Sequence, residues 1–371
     1  MKQIHPAVSR SRQLSPRYAG LDGLRGIAAG IVLTSHLALT IPALAGQLQS
    51  DPPPYWLHLA MRSPLHIFVA GSEAVIVFFV LSGFVLTLPF VPKKKVSWRS
   101  YYPKRIVRLW LPAIASVALA VMFALLVPRL EGVGTWWVND HARPVSGSMV
   151  VSDASLLAGT GKYNSVLWSL KWEVLFSFLL PLYVLLARRA RRYWFLGSVV
   201  MGAISTLGEL LEIDVLKYLP IFGIGVFLAV GRESISQLLA NRPWAVVGVG
   251  VTSAVSFAAF WAVPWSAGSP ALLLIACATA VTAFYGAQPL AHLSETPVVS
   301  WLGARSFSLY LVHEPILVSA ALVAPKVSWP LTAVLGAVVA LIVTEIFYRL
   351  VEVPGMRLAS MVGRAAAPRR Q

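Results

Sequence analysis

With 371 residues, 57% of them hydrophobic and only 12% charged, the chain lies far outside soluble composition and belongs with polytopic membrane proteins. Its single cysteine, Cys277, excludes an intramolecular disulfide and any cysteine metal cluster. The net charge of +16 sits in loops between apolar runs, where it sets topology and attracts anionic headgroups or an anionic cofactor, so it is no sign of nucleic-acid binding.

The first twenty residues are basic (Lys2, Arg10, Arg12, Arg17) but hold no short apolar core followed by a small-residue cleavage site, which predicts an uncleaved first span. Apolar runs then predict ten spans, near 21–45, 66–90, 108–127, 166–187, 194–211, 215–230, 244–263, 269–287, 301–324 and 330–350. The sixth is short enough to pair with the fifth as a bent hairpin, so nine or eleven spans fit the same pattern. Lys93, Lys94, Lys95, Arg99, Lys104 and Arg105 before the third span, and Arg188, Arg189, Arg191 and Arg192 after the fourth, place those connections in the cytoplasm. Both termini, with Arg364, Arg369 and Arg370 in the tail, then fall on that side. The long connection from Pro128 to Ser165 faces outward. Tyr55, Trp56 and Trp265 are expected at the outer interface, and Trp98 and Tyr101 at the inner one. The expected fold is an all-α membrane bundle over 21–352, between a basic cytoplasmic segment, 1–20, and a basic cytoplasmic tail, 353–371.

The first span carries Asp22, Arg25 and His36. At about 100° per residue, Arg25 and His36 return to within about 20° of one face, about 16 Å apart along the axis. Ionisable groups in hydrocarbon are expensive and rarely lack a partner or a task. The line reads as a path from one membrane surface to a buried reaction centre. Snorkelling of Arg25 and a structural hydrogen bond from His36 satisfy the same spacing. Glu73 in the second span and Glu173 in the fourth are expected near the depth of His36, where a carboxylate orients an imidazole and raises its basicity. A structural Glu–His or Glu–Lys pair is the alternative. Arg105 and Arg108, at the inner end of the third span, offer planar bidentate donors and with Arg25 would make a cytoplasmic phosphate-binding mouth. In the ninth span Ser306, Tyr310 and His313 share a face, with Glu314 adjacent, which implies a water-filled cavity or a packed polar network. Glu345 is expected to face the same interior, and Glu352, near Pro354, to end the last helix. Ser82, in LSGF, lacks the glycine of a nucleophile elbow and is expected to pack or to touch substrate. No Walker-type loop and no His-Glu-x-x-His pair occurs, and no metal is expected.

Six pieces in order, LDGLRGIAAGIVLTSH, FFVLSGF, YYPKRIVRLWLP, LWSLKWE, LGARSFSLYLVH and VEVP, resemble the acyltransferase 3 family of integral-membrane O-acyltransferases. Members modify bacterial surface polysaccharides, peptidoglycan and some small molecules. The resemblance covers nearly the whole chain. It implies that Arg25 and His36 are the paired motif of the first helix, Arg105 and Arg108 the Arg-x-x-Arg motif, Glu173 the acid of Trp-Ser-Leu-x-x-Glu, and Tyr310 with His313 the ninth-helix motif. The chain departs from the family at Ile76, where an acid is common; Glu73, one turn earlier, would offer its carboxylate on nearly the same face.

The resemblance implies an acyl-CoA-dependent transfer, commonly of acetyl, to a hydroxyl of a surface or exported glycan, by a multi-pass protein of the plasma membrane. Acyl-CoA is then a co-substrate, and no tightly bound cofactor is expected. His36 serves either as general base or as covalent acyl carrier, with Tyr310 or Ser306 donating to the oxyanion. Without the esterase-like domain fused in some relatives, transfer is completed by the membrane domain or by a separate extracytoplasmic partner. A small hydrophobic acceptor such as a macrolide fits the same motifs. A proton-coupled transporter or lipid-linked sugar flippase is the reading from another class; no inverted repeat supports it.

Overall fold

The computed structural model of the protein describes residues 16–48, 54–91, 97–129, 132, 134–158, 161, 163–263, 268–324 and 328–367. Lys2, Arg10, Arg12, Lys93, Lys94, Lys95, Trp265, Arg369 and Arg370 lie outside them. Helix α1 (Pro16–Thr40) stops where Pro42 disfavours helical geometry at the residue before it, and short α2 (Pro42–Leu48) and α3 (Tyr55–Met61) follow. Next come α4 (Gly71–Thr87), α5 (Trp98–Leu126), the short α6 (Trp136–Asp140) and α7 (Gly147–Ser155), and α8 (Leu167–Arg189). The rest are α9 (Trp194–Leu210), α10 (Asp214–Asn241), α11 (Pro243–Ala262), α12 (Ser269–Gly286), α13 (Gln288–Glu295), α14 (Pro297–Val323), α15 (Trp329–Phe347) and α16 (Val353–Ala365). Proline occupies the first turn of α11 to α16, where its missing N–H costs nothing.

Among the described residues there is no strand, and ten helices are long and apolar enough to cross a membrane. Ten crossings return the chain to the face it left. That face, termed basic below, carries Arg188, Arg189, Arg191 and Arg192. The far face carries α2, α3, α6 and α7. The sixth span is a full 28-residue helix and not a hairpin arm, because its C-terminal half, through Ile235 and Leu239, also buries apolar side chains. Helix α5 starts ten residues earlier than the hydropathy edge at 108, so Arg105 and Arg108 lie within a helix.

Burial ranks the helices. In α14, 83% of the most apolar window is buried, against 11% in α9 and in α11, which makes α14 central and those two peripheral. Helix α14 packs on α1, α15 and α5, while α10 packs on α9, α4 and α8. In lipid, helices gain little from hydrophobicity alone and associate where small residues let backbones approach. At the α1–α14 crossing, a Cβ on Gly26 would lie 2.5 Å from the Gly303 nitrogen. At the α4–α10 crossing, a Cβ on Gly225 would lie 1.9 Å from the Val80 carbonyl oxygen. Both contacts require glycine.

The last span corrects two expectations. Helices α15 and α16 are joined by a π-helical turn, Tyr348–Glu352, so Glu352 is a buried mid-helix residue and not a terminus. The extra residue of a π turn re-aims side chains and releases the backbone ahead of Pro354. Residues 353–365, expected as tail, form a packed helix: Gly363 sits on α5, and Ser100 Oγ donates to its carbonyl over 2.5 Å.

Candidate active site

Near the basic face α1, α4, α5, α8 and α14 enclose a cavity of about 80 Å³ bounded by Arg25, Ser82, Arg105, Arg108, Glu173 and Glu352. A second cavity of about 60 Å³ continues toward the far face and ends against Phe78, Ser169, Ser306 and Tyr310. The two share Arg25, Ser82, Glu173 and Phe307 as walls, so they lie end to end across a waist formed by those residues. Arg105 is tied to Glu173 by an ion pair and donates from Nε to Ser177 Oγ over 3.0 Å. Arg25 and Arg108 close no ion pair within 4 Å among the described residues, and both lie in the field of Asp22 and Glu352. Glu352 in turn accepts from Ser308 Oγ over 2.5 Å. Two guanidiniums thus keep donors free at the mouth.

Beyond Tyr310 the polar line continues one helical turn to His313 on α14. His36 Nδ1 meets His313 Nε2 at 2.9 Å, and His313 Nδ1 meets the Leu309 carbonyl oxygen at 2.8 Å. A carbonyl only accepts, so His313 carries its proton on Nδ1, and its Nε2 accepts from His36 Nδ1–H. In the neutral ring, His36 Nε2 is left with its lone pair. The ring is held between Trp137 and His313, with centroids 5.1 and 5.0 Å away. Glu314, fully buried, places Oε2 3.7 Å from His36 Nδ1 and accepts from the backbone N–H and the Oγ of Ser165 and from His141 Nε2 at 3.0 Å. A buried carboxylate so saturated with donors is compensated where a bare one is not.

Far-face segments complete this centre because each is pinned locally. Thr135 caps α6 by accepting from the Val138 N–H and donates to the Leu39 carbonyl over 2.7 Å, which fixes α6 to the end of α1. Trp137 and Val138 are buried against Val318, Ala321 and Leu322 of α14, which delivers His141 to Glu314. Asn164 Nδ2 donates to the Leu311 carbonyl over 2.8 Å and sets Ser165 beside Glu314.

The expected convergence of Glu73 and Glu173 on His36 does not occur. Glu173 is drawn to Arg105, which offers a full charge and two N–H groups, and Ser82 Oγ donates to it at 3.4 Å. Glu73 points toward the 3₁₀ turn Pro64–Val69 and α11, taking His66 Nε2 at 3.0 Å and Trp261 Nε1 at 3.2 Å. It does not line the path, nor does it take the place of an acid at buried Ile76. The carboxylate beside His36 is Glu314. Ser306 lines the path but donates to the Gly303 carbonyl over 3.0 Å. The Tyr310 hydroxyl donates to the Val166 carbonyl over 3.2 Å and meets Ser169 Oγ at 2.7 Å. Both hydroxyls thus have partners within the bundle. Glu345 faces away from the interior, where Arg305 and Arg349 clamp it.

Sequence reasoning missed His141, Ser165 and Ser169 and put Glu352 at a helix end instead of beside the cavity. Glu314 was seen only as a neighbour of His313. The Asn164–Ser165 pair opening the fourth span was the one available signal. A larger groove of about 940 Å³ between α10, α11 and α12 lies apart and gathers no convergent acid–base groups. Among the described residues, no group of three or more His, Cys, Asp or Glu is arranged to hold a metal ion.

A family model for an acyltransferase domain matches residues 18–349. Acyltransferase MdmB of Streptomyces mycarofaciens is 28% identical over 331 residues, covering 80% of this chain and 78% of its own. No solved structure matches.

Proposed function

The chain belongs to the acyltransferase 3 family, and we propose that it moves an acyl group, commonly acetyl, from cytoplasmic acyl-CoA to a hydroxyl of a surface or exported glycan. The observation that supports this reading is the line from Arg25 and Arg108, through two adjoining cavities that stop at Tyr310, toward His36 one helical turn beyond, whose Nε2 is left free by the His313 hydrogen bond. Arg25 and Arg108 hold the coenzyme's phosphates, and Arg105, paired with Glu173 and Ser177, ties α5 to α8 beside them. His36 Nε2 takes the proton of the acceptor hydroxyl as the oxygen attacks the thioester carbonyl. The C–O bond forms, the C–S bond breaks, and the proton passes from His36 to the departing thiolate. While His36 is charged, Glu314 at 3.7 Å stabilises it.

With the basic face in the cytoplasm, as the positive-inside rule places it, the mouth meets the cell's acyl-CoA and His36 lies toward the exterior of a plasma membrane. A second acceptor class, a small hydrophobic alcohol, is favoured by the apolar lining of the second cavity by Val75, Phe78, Phe79, Leu170 and Phe307.

Detergent-purified protein incubated with radiolabelled acetyl-CoA tests the reading. Wild type should consume the thioester and His36→Ala, folded by thermal unfolding, should lose about 10²- to 10⁴-fold. If neither consumes it and wild type binds no coenzyme A, acyl transfer is overturned in favour of a transporter.

A further inference from the structure

His141 is held on both ring nitrogens by acceptors. Nδ1 lies 2.7 Å from the Trp137 carbonyl oxygen and Nε2 lies 3.0 Å from Glu314 Oε1. The first contact needs a proton on Nδ1, and the second needs one more between ring and carboxylate. The pair therefore holds as imidazolium and carboxylate, or as imidazole and carboxylic acid. Glu314 already accepts from the N–H and hydroxyl of Ser165, which favours the carboxylate. The Trp137 ring lies against both imidazoles, 4.7 Å from His141 and 5.1 Å from His36. The indole thus flanks the cation, while the carboxylate faces His36 directly.

We propose that His141 is a positioning residue for the His36 base: as an imidazolium it keeps Glu314 ionised and aimed at His36, so that α6 of the far-face connection sets the competence of the centre. The proposal rests on the acyl-transfer reading above. Burial pulls the His141 pKa down, but the adjacent Glu314 carboxylate and its hydrogen bond prevail and raise it above the ordinary 6.5. The other titratable groups acting on it are His36 from α1 and Asp140 from its own helix; α2 brings no charge. A raised histidine pKa contributes fully below 6.5, and the contribution is lost as pH rises through the raised value. The acyl-transfer rate should therefore fall on the alkaline side as His141 loses its proton.

The test is kcat and KM for acetyl-CoA consumption across pH by wild type, His141→Gln, His141→Lys, Glu314→Gln and the His141→Gln/Glu314→Gln pair. His141→Gln should lower kcat about ten- to a hundredfold with KM within about twofold, the loss of one charge-assisted hydrogen bond. His141→Lys, which stays charged, should recover part of kcat and move the alkaline limb upward. The double variant should lose no more than Glu314→Gln alone, because His141 acts through that carboxylate. If losses in the pair multiply, or if His141→Gln keeps wild-type kcat and pH profile, the proposal is overturned while acyl transfer stands. If wild type turns nothing over, the acyl-transfer reading itself has failed. Should His141→Gln not fold, His141→Lys decides: an alkaline limb unchanged from wild type overturns the proposal.

Discussion

At the residue scale, Arg105 and Glu173 act as a unit. Their side chains are 11% and 22% exposed, so the pair is mostly desolvated. Removing one partner leaves the other charge buried and costs more than the pair itself contributes. Glu173→Gln should lower stability by about 2 kcal/mol, discounted for the residual exposure. Arg105→Gln added to it should restore part of that loss, read as thermal unfolding in detergent; an additive second loss would rule out the pairing. The His36 tautomer gives a second prediction. His313→Gln keeps an acceptor for Nδ1–H and should hold activity at least about tenfold above His313→Leu, which keeps none. The Arg25–His36 line was legible because both residues lie on one helix, where spacing fixes the angle. The partner of His36 was not. His313 and Glu314 are about 100° apart on α14, and both reach His36 only because that ring lies across the α1–α14 crossing. His141 sits on a connection with no period at all.

At the scale of elements, span number and order were legible from hydropathy alone, since ten apolar runs became ten crossing helices. Their ends were not, because polar residues extend a helix as well as end one. Arg105 and Arg108 prolong α5, and Glu352 lies within the last span because Ser308 answers it. The α4–α14 gap leads to a prediction about passage. Phe78 packs edge-on against Tyr310 at 5.8 Å, where the path stops one turn short of His313. On the acyl-CoA reading proposed above, the thioester passes this point to reach His36. Phe78→Ala removes the ring and should raise acceptor-independent hydrolysis of acetyl-CoA several-fold, in the manner of an opened lid that admits water. An unchanged hydrolysis rate with a folded protein would show that the acyl group takes another route. At the α1–α14 crossing, Gly26→Val would drive a side chain into the Gly303 backbone, 2.5 Å from its nitrogen, and should abolish activity by parting the two helices that join His36 to His313. A variant with wild-type turnover would refute that coupling.

For the whole molecule, direction across the membrane matters most, because it decides which pool of acyl donor the arginines meet. The polar residues have a direction of their own: guanidiniums toward one end of the bundle, the histidine centre one turn beyond the cavities toward the other, and far-face connections closing over that centre. The positive-inside rule makes charge the basis for the proposed orientation. The α8–α9 connection holds four arginines within five residues, and a cluster of that kind resists translocation. Cys277 is fully buried, so the native chain offers a silent background for thiol labelling. Tyr193, 60% exposed beside those arginines, and Ser148, exposed on α7, mark the two faces. In intact cells an impermeant maleimide should label Ser148→Cys and spare Tyr193→Cys until the membrane is permeabilised. Labelling of Tyr193→Cys in sealed cells would place the arginine mouth outside, where coenzyme A is absent, and would end the acyl-CoA reading even if the centre around His36 were correct. Protection of Tyr193→Cys together with labelling of Ser148→Cys would put the arginines on the cytoplasmic side, the orientation that the proposed acyl-CoA reading requires, with the histidine centre toward the other side.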